Sequence, residues 1–155
     1  AMDAAFAINA TSDDWATLLA ELNGVSELIS SSMFEATGLG STANQIGAEP
    51  GVANLYVLIS VSNPAKYAEA WQKMIASTDL GETDTVLISM SAGGLGSTTH
   101  VAAVSGKSVG AVMTQMNANR GEETFQTFLQ EVGDIRTIEQ NIVTVDMAVF
   151  GNMGG

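Results

Sequence analysis

Residues 54–78, "NLYVLISVSNPAKYAEAWQKMIAST", join a strand pattern directly to a helix pattern. In 54–62 apolar side chains alternate along the chain, which is typical of a half-buried strand. Asn63 is then the expected N-cap of a helix, and Pro64 occupies its first position, where proline is tolerated. The apolar side chains that follow recur at the spacing of one helical face: Tyr67, Ala70, Trp71, Met74 and Ile75. The segment therefore predicts a β–α unit whose helix packs on one face of a sheet.

Three further stretches show strand character: 84–92 ("DTVLISMSA"), 98–105 ("TTHVAAVS") and 140–150 ("QNIVTVDMAVF"). The glycine-rich run "SAGGLGS" between the first two is expected to be a flexible hairpin connection. Two apolar stripes with helical spacing precede the last stretch, and "NANRGEE" separates them. They consist of Val109, Val112, Met113 and Met116, and of Phe125, Phe128, Leu129 and Val132. They predict two helical pieces that are broken or kinked near Gly121. We interpret the methionine and aromatic stripes as core packing.

Strand alternation assigns side chains to the two faces of the predicted sheet. The face under the helices is expected to hold Leu55, Val57, Ile59 and Val61; Val86, Ile88 and Met90; and Val143, Val145, Met147 and Val149. The opposite face is expected to hold Tyr56, Leu58 and Ser60; Leu87 and Ser89; His100, Ala102 and Val104; and Ile142, Thr144, Asp146 and Ala148. That second face carries a single charge, too few for open water. It predicts a homo-oligomer, a dimer or higher, that encloses either a packed interface or a small-molecule pocket.

Residues 1–53 are predicted to form an N-terminal extension. "AAFAINA" has strand character, and "TSDDWATLLAELNGVSELIS" predicts an amphipathic helix capped by Thr11 or Ser12. The apolar stripe of this helix consists of Trp15, Leu18, Leu19 and Leu22. Residues 33–37, "MFEAT", are expected to be a short returning strand, and "GLGSTANQIGAEPG" after them an irregular loop.

The order strand–helix–strand occurs twice, at 54–92 and 98–150, and "SVSNPAKYAEAWQKM" (60–74) can be laid against "AVSGKSVGAVMTQM" (103–116). This element order resembles the ferredoxin-like fold, and in particular the dimeric α/β-barrel superfamily built from it. The resemblance implies an α+β protein: an antiparallel sheet of order 4-1-3-2 with helices on one face, here with an N-terminal strand–helix extension. It involves no signature motif, so it transfers no functional residue. We expect a single domain over 1–155, with the extension and glycine-rich loop at 1–53, the core at 54–150 and a flexible tail at 151–155.

Composition excludes several classes of function. The formal charge is −12, from 5 basic and 17 acidic residues, which predicts no nucleic-acid partner and disfavours anionic lipid surfaces. No apolar run approaches the roughly 20 residues that span a bilayer, so no membrane insertion is predicted. Cysteine is absent, which excludes disulfides, thiolate nucleophiles and cysteine-ligated metals. Scarce lysine and abundant small residues predict an extracellular or periplasmic protein, and the start "AMDAAFA" fits a processed mature end or an added expression remnant.

The sole histidine, His100, is the centre of the expected ligand site, which also includes Tyr56, Ser60, Ser89 and Asp146. Ser60 and Ser89 are expected to flank His100 on the neighbouring strands. Asp146 would lie two strand spacings away, about 9–10 Å, too far for a direct hydrogen bond. A Ser–His–Asp triad is therefore not predicted, and neither is any other catalytic residue. No cofactor and no metal are predicted, because one histidine without cysteines makes a poor zinc site and "DLGETD" fits a solvated turn better than a calcium loop.

These observations predict a non-catalytic, self-associating, exported acidic protein that binds a small apolar ligand between sheets. Three alternatives stay open. The first is a cofactor-free enzyme of the dimeric α/β-barrel type, a monooxygenase or isomerase, that uses His100 with Tyr56 or Arg136. The second is heme ligation by His100. The third is a subunit of a secreted assembly, whose close packing the low charge density and the "GNMGG" tail would permit.

We expect the melting temperature to rise as NaCl is increased from low to moderate concentration. The 12 excess negative charges repel one another in the folded chain, and added ions screen that repulsion. Differential scanning calorimetry over a NaCl series measures the effect, and a parallel KCl series should give the same shift if screening causes it. A melting temperature that falls over this range would contradict the expectation.

Overall fold

The structure is a computed structural model, and it describes residues 12–27, 32–93 and 96–148. The chain divides into two compact units, Ala1–Ser31 and Ser32–Gly155, which are described separately here.

The first unit contains helix α1 (Asp13–Asn23). The Ser12 hydroxyl caps it by accepting a hydrogen bond from the backbone N–H of Trp15 at 3.3 Å. This confirms the first part of the predicted helix and selects Ser12 as its cap; the helix ends at Asn23, before the predicted end, with Gly24 as its C-cap. The apolar stripe is 40–45% exposed at all four positions: Trp15, Leu18, Leu19 and Leu22. The predicted strand "AAFAINA" lies outside the described residues.

The second unit is an α+β structure with a five-stranded antiparallel sheet. Its elements are β1 (Ser32–Ser41), β2 (Ala53–Val61), α2 (Pro64–Ser77), β3 (Thr83–Gly93), β4 (His100–Gly106), α3 (Val109–Arg120), α4 (Glu123–Val132) and β5 (Arg136–Val145). The strands lie side by side in the order β1-β3-β4-β2-β5. The Asn63 side chain accepts a hydrogen bond from Lys66 N at 3.1 Å, which confirms the predicted cap. The predicted helix break is confirmed as well, because α3 ends with Gly121 as its C-cap.

Two strands differ in extent from the sequence prediction. β1 continues to Ser41 and includes the "GLGS" that we expected to belong to a loop. Glycine makes this possible, since a Cβ at Gly40 would overlap the carbonyl oxygen of Thr85 on the neighbouring strand. β5 begins at Arg136 and ends at Val145, four residues before the predicted start and five before the predicted end. Of the predicted strand, residues 149 and 150 lie outside the described part of the chain.

The pairing of β4 corrects the predicted assignment of the sheet faces. His100 is paired with Ile59 on β2 and with Ser89 on β3, and directly paired residues of antiparallel strands share a face. Five residues predicted on the open face therefore lie on the helix-covered face: Leu87, Ser89, His100, Ala102 and Val104. Val86, Ile88 and Met90 lie on the opposite face instead. Both faces of β3 and β4 are largely apolar, so alternation alone does not distinguish them.

The core lies between this face and the helices. Three aromatic side chains form its centre: the Tyr67 ring lies 5.6 Å from Phe128, and Trp71 lies 5.9 Å from Phe128 in an edge-on arrangement. Ile59 and Val132 are fully buried beside them. On the other face the central side chains are also buried, with Leu58 and Val101 each 3% exposed.

Asp84, at the start of β3, fixes the loop between β1 and β2. It is 5% exposed, and its carboxylate accepts hydrogen bonds from the backbone N–H groups of Asn44 at 2.9 Å and Ile46 at 2.7 Å. In the same "DLGETD" turn, Asp79 accepts a hydrogen bond from Gly81 N at 2.9 Å. The Asp84 carboxylate therefore fixes the backbone of the loop between β1 and β2, and the Asp79 carboxylate fixes the backbone of its own turn.

We expect Asp84→Ala to lower the free energy of unfolding by about 1–3 kcal/mol, because two part-buried backbone N–H groups would lose their charged acceptor. Glu82→Ala is the matched control, since Glu82 lies in the same turn and is exposed. Urea unfolding of both variants measures the difference. Equal midpoints for the two variants would show that the Asp84 carboxylate does not hold the loop.

Candidate functional site: a cavity between helices and sheet

A cavity of about 650 Å³ lies within the second unit, between its helices and its sheet. The sheet wall is formed mainly by Leu55, Val57, Ala102, Val104 and Val143. The helix wall is formed mainly by Trp71, Met74, Met113, Met116, Phe125 and Leu129. The side chains that β4 contributes, Ala102 and Val104, are small and leave this volume unfilled. The methionines at its border have flexible thioether side chains that can adjust to the shape of a ligand.

The cavity reaches solvent beside β5. Ile138 and Val143 both line it, yet they are 50% and 49% exposed. Large apolar side chains that are half exposed at a cavity mouth offer a hydrophobic entry surface. The opening is therefore bordered by an edge strand of the sheet.

Polar side chains of the cavity wall include a buried phenol, Tyr67, and an arginine beside it, Arg136. The Tyr67 side chain is 1% exposed, and burial raises its pKa above the ordinary value of 10, an effect that the charge of Arg136 partly opposes. The phenol therefore keeps its proton at neutral pH. The Arg136 guanidinium carbon lies 5.9 Å from the centre of the Phe128 ring, a distance typical of a cation–π contact.

The structure separates the residues that the sequence assigned to one site. His100 and Ser89 are neighbours on the helix-covered face, but Ile59 occupies the flanking place expected for Ser60. Tyr56 is paired with Ala103, and both Tyr56 and Ser60 lie on the opposite face. Asp146 follows β5, where its backbone N–H donates to Val52 O at 2.8 Å and its carbonyl accepts from Gly51 N at 2.7 Å.

His100 lies next to the aromatic core and is not among the residues that line the cavity. Its ring centre is 6.3 Å from that of Tyr67. Its Nδ1 lies 2.9 Å from the Thr99 hydroxyl, and no carboxylate hydrogen-bonds to the ring in the part of the chain that the structure describes. Burial lowers the pKa of His100 below 6.5, so the imidazole is neutral at pH 7.

The sequence patterns predict the residues of the cavity wall as core residues, and they do not predict the cavity. Trp71, Met113 and Phe125 belong to apolar stripes, and the pattern of such a stripe is the same whether its side chains pack tightly or leave a void. One signal was available in the sequence. The only two arginines, Arg120 and Arg136, flank the amphipathic helix α4 closely on either side.

Within residues 12–27, 32–93 and 96–148, no three acidic or histidine side chains are grouped closely enough to hold a metal ion. None of the helices described is long and apolar enough to cross a membrane. No protein-family model matches the chain, and no curated protein and no solved structure is significantly similar to it.

We expect His100→Gln to change the free energy of unfolding at neutral pH by about 1 kcal/mol or less, the scale of one neutral hydrogen bond. The free energy of unfolding of the variant should also fall less than that of the parent when the pH is lowered. Because the folded-state pKa of His100 is lowered, its stabilising contribution is present above about pH 6.5 and is lost as pH falls through the folded-state pKa.

Urea unfolding of the parent and His100→Gln at about pH 8 and about pH 5 measures both effects. Other titrating groups are common to the two proteins, so their difference isolates His100. Identical losses of stability on acidification would mean that His100 titrates alike in the folded and unfolded chains.

Proposed function

We propose that this protein binds a small apolar ligand in the cavity between its helices and its sheet. The observation that carries the proposal is the cavity itself: about 650 Å³, within the range of about 300–1,000 Å³ that small-molecule pockets occupy. Its walls are mainly aliphatic, aromatic and methionine side chains. The sequence prediction put the ligand between two sheets, and the proposal moves it to the other face of the sheet.

A neutral fluorescent dye, N-phenyl-1-naphthylamine, tests the proposal without knowledge of the natural ligand. We expect saturable binding to the parent protein. Val104→Phe places a larger side chain into the cavity and should weaken dye binding about tenfold or more, since it occupies the volume that the dye needs. Melting curves would establish that the variant is folded.

Val109→Phe is the matched control. Val109 is 40% exposed on α3 and does not line the cavity, so the same substitution there should leave dye affinity unchanged. If both variants bind the dye as the parent does, the dye site is elsewhere and the proposal is wrong.

We also infer a ferredoxin-like arrangement for the second unit, as the element order predicted. The observed order supports it: read from β5, the strands β5-β2-β4-β3 correspond to 4-1-3-2 when β2, β3, β4 and β5 are counted as strands 1 to 4. Each of the helices α2, α3 and α4 contributes to the same cavity wall above the sheet. In this arrangement β1 is an added edge strand beside β3.

A second function, self-association, is supported by β5. It is the last strand of the sheet order, and Ile138, Val143 and Val145 are 50%, 49% and 41% exposed on it. A long edge strand with exposed β-branched side chains is a template for pairing with a second copy of the chain. We propose a dimer in which two β5 strands pair antiparallel about a two-fold axis.

We expect the parent protein to sediment as a dimer at micromolar concentrations and Val145→Lys to sediment as a monomer, because an edge lysine opposes strand pairing. Met33→Lys is the control: Met33 is 51% exposed on β1, at the other edge of the sheet, and should leave the dimer intact. A monomeric parent would contradict this function, and a dimer lost only in Met33→Lys would place the interface at β1.

The catalytic alternative has less support. His100 and Tyr56 lie on opposite faces of the sheet, and Arg136 faces a cavity that His100 does not line. An exported location remains a proposal that rests on composition.

A further inference from the structure

The charged side chains around the cavity are all of one sign. Both arginines of the chain, Arg120 and Arg136, line it, whereas no aspartate or glutamate occurs among its described lining residues. The whole chain has 17 acidic and 5 basic residues, so an average surface of this protein would carry more carboxylates than cations. The charged side chains that line the cavity are therefore two cations, in a protein whose net charge is −12.

Neither arginine is ion-paired within residues 12–27, 32–93 and 96–148. In the ion pairs found among the described residues, the cations are Lys66 and Lys73, and neither Arg120 nor Arg136 takes part. Arg136 is half-buried, with its guanidinium over the Phe128 ring and next to the Tyr67 phenol. Arg120 is exposed in the last turn of α3, with one contact of 3.3 Å to the Asn117 side chain.

A second groove shows the opposite arrangement. It measures about 440 Å³ and lies between α2 and α4, on the outer surface. Its lysines are matched by acids, since Lys66 lies 3.4 Å from Asp134 and Lys73 lies 3.1 Å from Glu69. Compensation of cations by neighbouring acids is thus present on this protein, and the cavity lacks it.

Two further donors belong to the cavity wall. Trp71 is 5% exposed, and its Nε1–H is the one buried side-chain polar atom without a hydrogen-bond partner in the described part of the chain. The protonated Tyr67 phenol is the second donor. The wall therefore supplies hydrogen-bond donors and positive charge next to an extensive apolar surface.

We propose that the ligand is an amphipathic carboxylate whose acidic group binds Arg136 and Arg120 while its aliphatic or aromatic body fills the cavity. This inference rests on the proposed ligand-binding function and adds the chemical class of the ligand. A carboxylate accepts two parallel hydrogen bonds from a guanidinium, and such charge-assisted bonds are stronger than neutral ones. The apolar walls exclude water from the body of the ligand and strengthen the ionic contact.

The test is displacement of N-phenyl-1-naphthylamine by three molecules with the same ten-carbon chain and different head groups: decanoate, decan-1-ol and decylammonium. All are used below the concentrations at which they form micelles, at about pH 8 where decanoate is ionised. We expect decanoate to displace the dye at a concentration about tenfold lower than decan-1-ol, on the scale of one charge-assisted hydrogen bond, and decylammonium to be the weakest.

Arg136→Gln and Arg120→Gln should each remove most of the preference for decanoate and change decan-1-ol binding less than about twofold. Lys107→Gln is the matched control, because it makes the same change in net charge at an exposed residue outside the cavity wall. Arg136→Lys keeps the charge but not the paired donors, and should retain an intermediate preference. If Arg136→Gln does not fold, Arg136→Lys tests the role of Arg136 in its place.

The possible results are distinct. If the dye and decan-1-ol bind but decanoate binds no better, the ligand class is wrong while the ligand-binding function stands. A preference for decanoate that Lys107→Gln reduces as much as the arginine variants do would mean that overall charge is responsible, and would also overturn the inference. If the dye does not bind at all, the proposed function fails, and the ligand class fails with it.

Discussion

The position of β4 between β2 and β3 is the constraint on which the site depends. The pairing of His100 with Ile59 and Ser89 sets the register of the three central strands. Side chains alternate along a strand, so a slip of one residue would exchange every side chain of β4 between the two faces. The observed register puts Ala102 and Val104 beneath the helices. These small side chains leave the volume that the larger residues of β2 and the helices surround.

The helix-covered face combines packed aromatic side chains with open space. Tyr67, Trp71 and Phe128 make mutual ring contacts, and the same three side chains line the cavity together with Met113 and Met116. An apolar void weakens a protein because the lining atoms lack contact partners. A ligand that supplies those contacts binds only the folded state and stabilises it. The aromatic contacts can thus maintain the fold while the cavity beside them retains room for a ligand.

Two electrostatic effects, one at long range and one at short range, act on an anionic ligand. At long range the formal charge of −12 repels an anion, and salt at physiological concentration screens this repulsion beyond about 8 Å. At short range the half-buried Arg136 acts next to apolar side chains, where a charge interacts more strongly than in water. An acidic protein can therefore hold an anion in one place while its remaining surface stays anionic. Association with an anionic ligand should then be slow in dilute buffer and faster in salt.

The sequence by itself determined the elements whose signals are local. Asn63 and Ser12 cap their helices as predicted, and the helix break at Gly121 lies where the apolar stripes are interrupted. The observed sheet and helices agree with the predicted α+β class. Caps, breaks and periodicity depend on residues within a few positions of one another, so a single chain displays them. The neighbouring positions of His100 and Ser89 were also predictable, because a short hairpin joins their strands.

Only the tertiary structure decided which face of β3 and β4 meets the helices, and hence where the site lies. "TVLISM" and "VAAV" are apolar at consecutive positions, so their orientation depends on pairing with residues far away in the chain. The extension of β1 through Gly40 required the close approach of Thr85, which no local pattern contains. The cavity and its two arginines likewise arise where four strands and three helices meet. Side-chain packing between distant segments creates that space, and local sequence does not encode it.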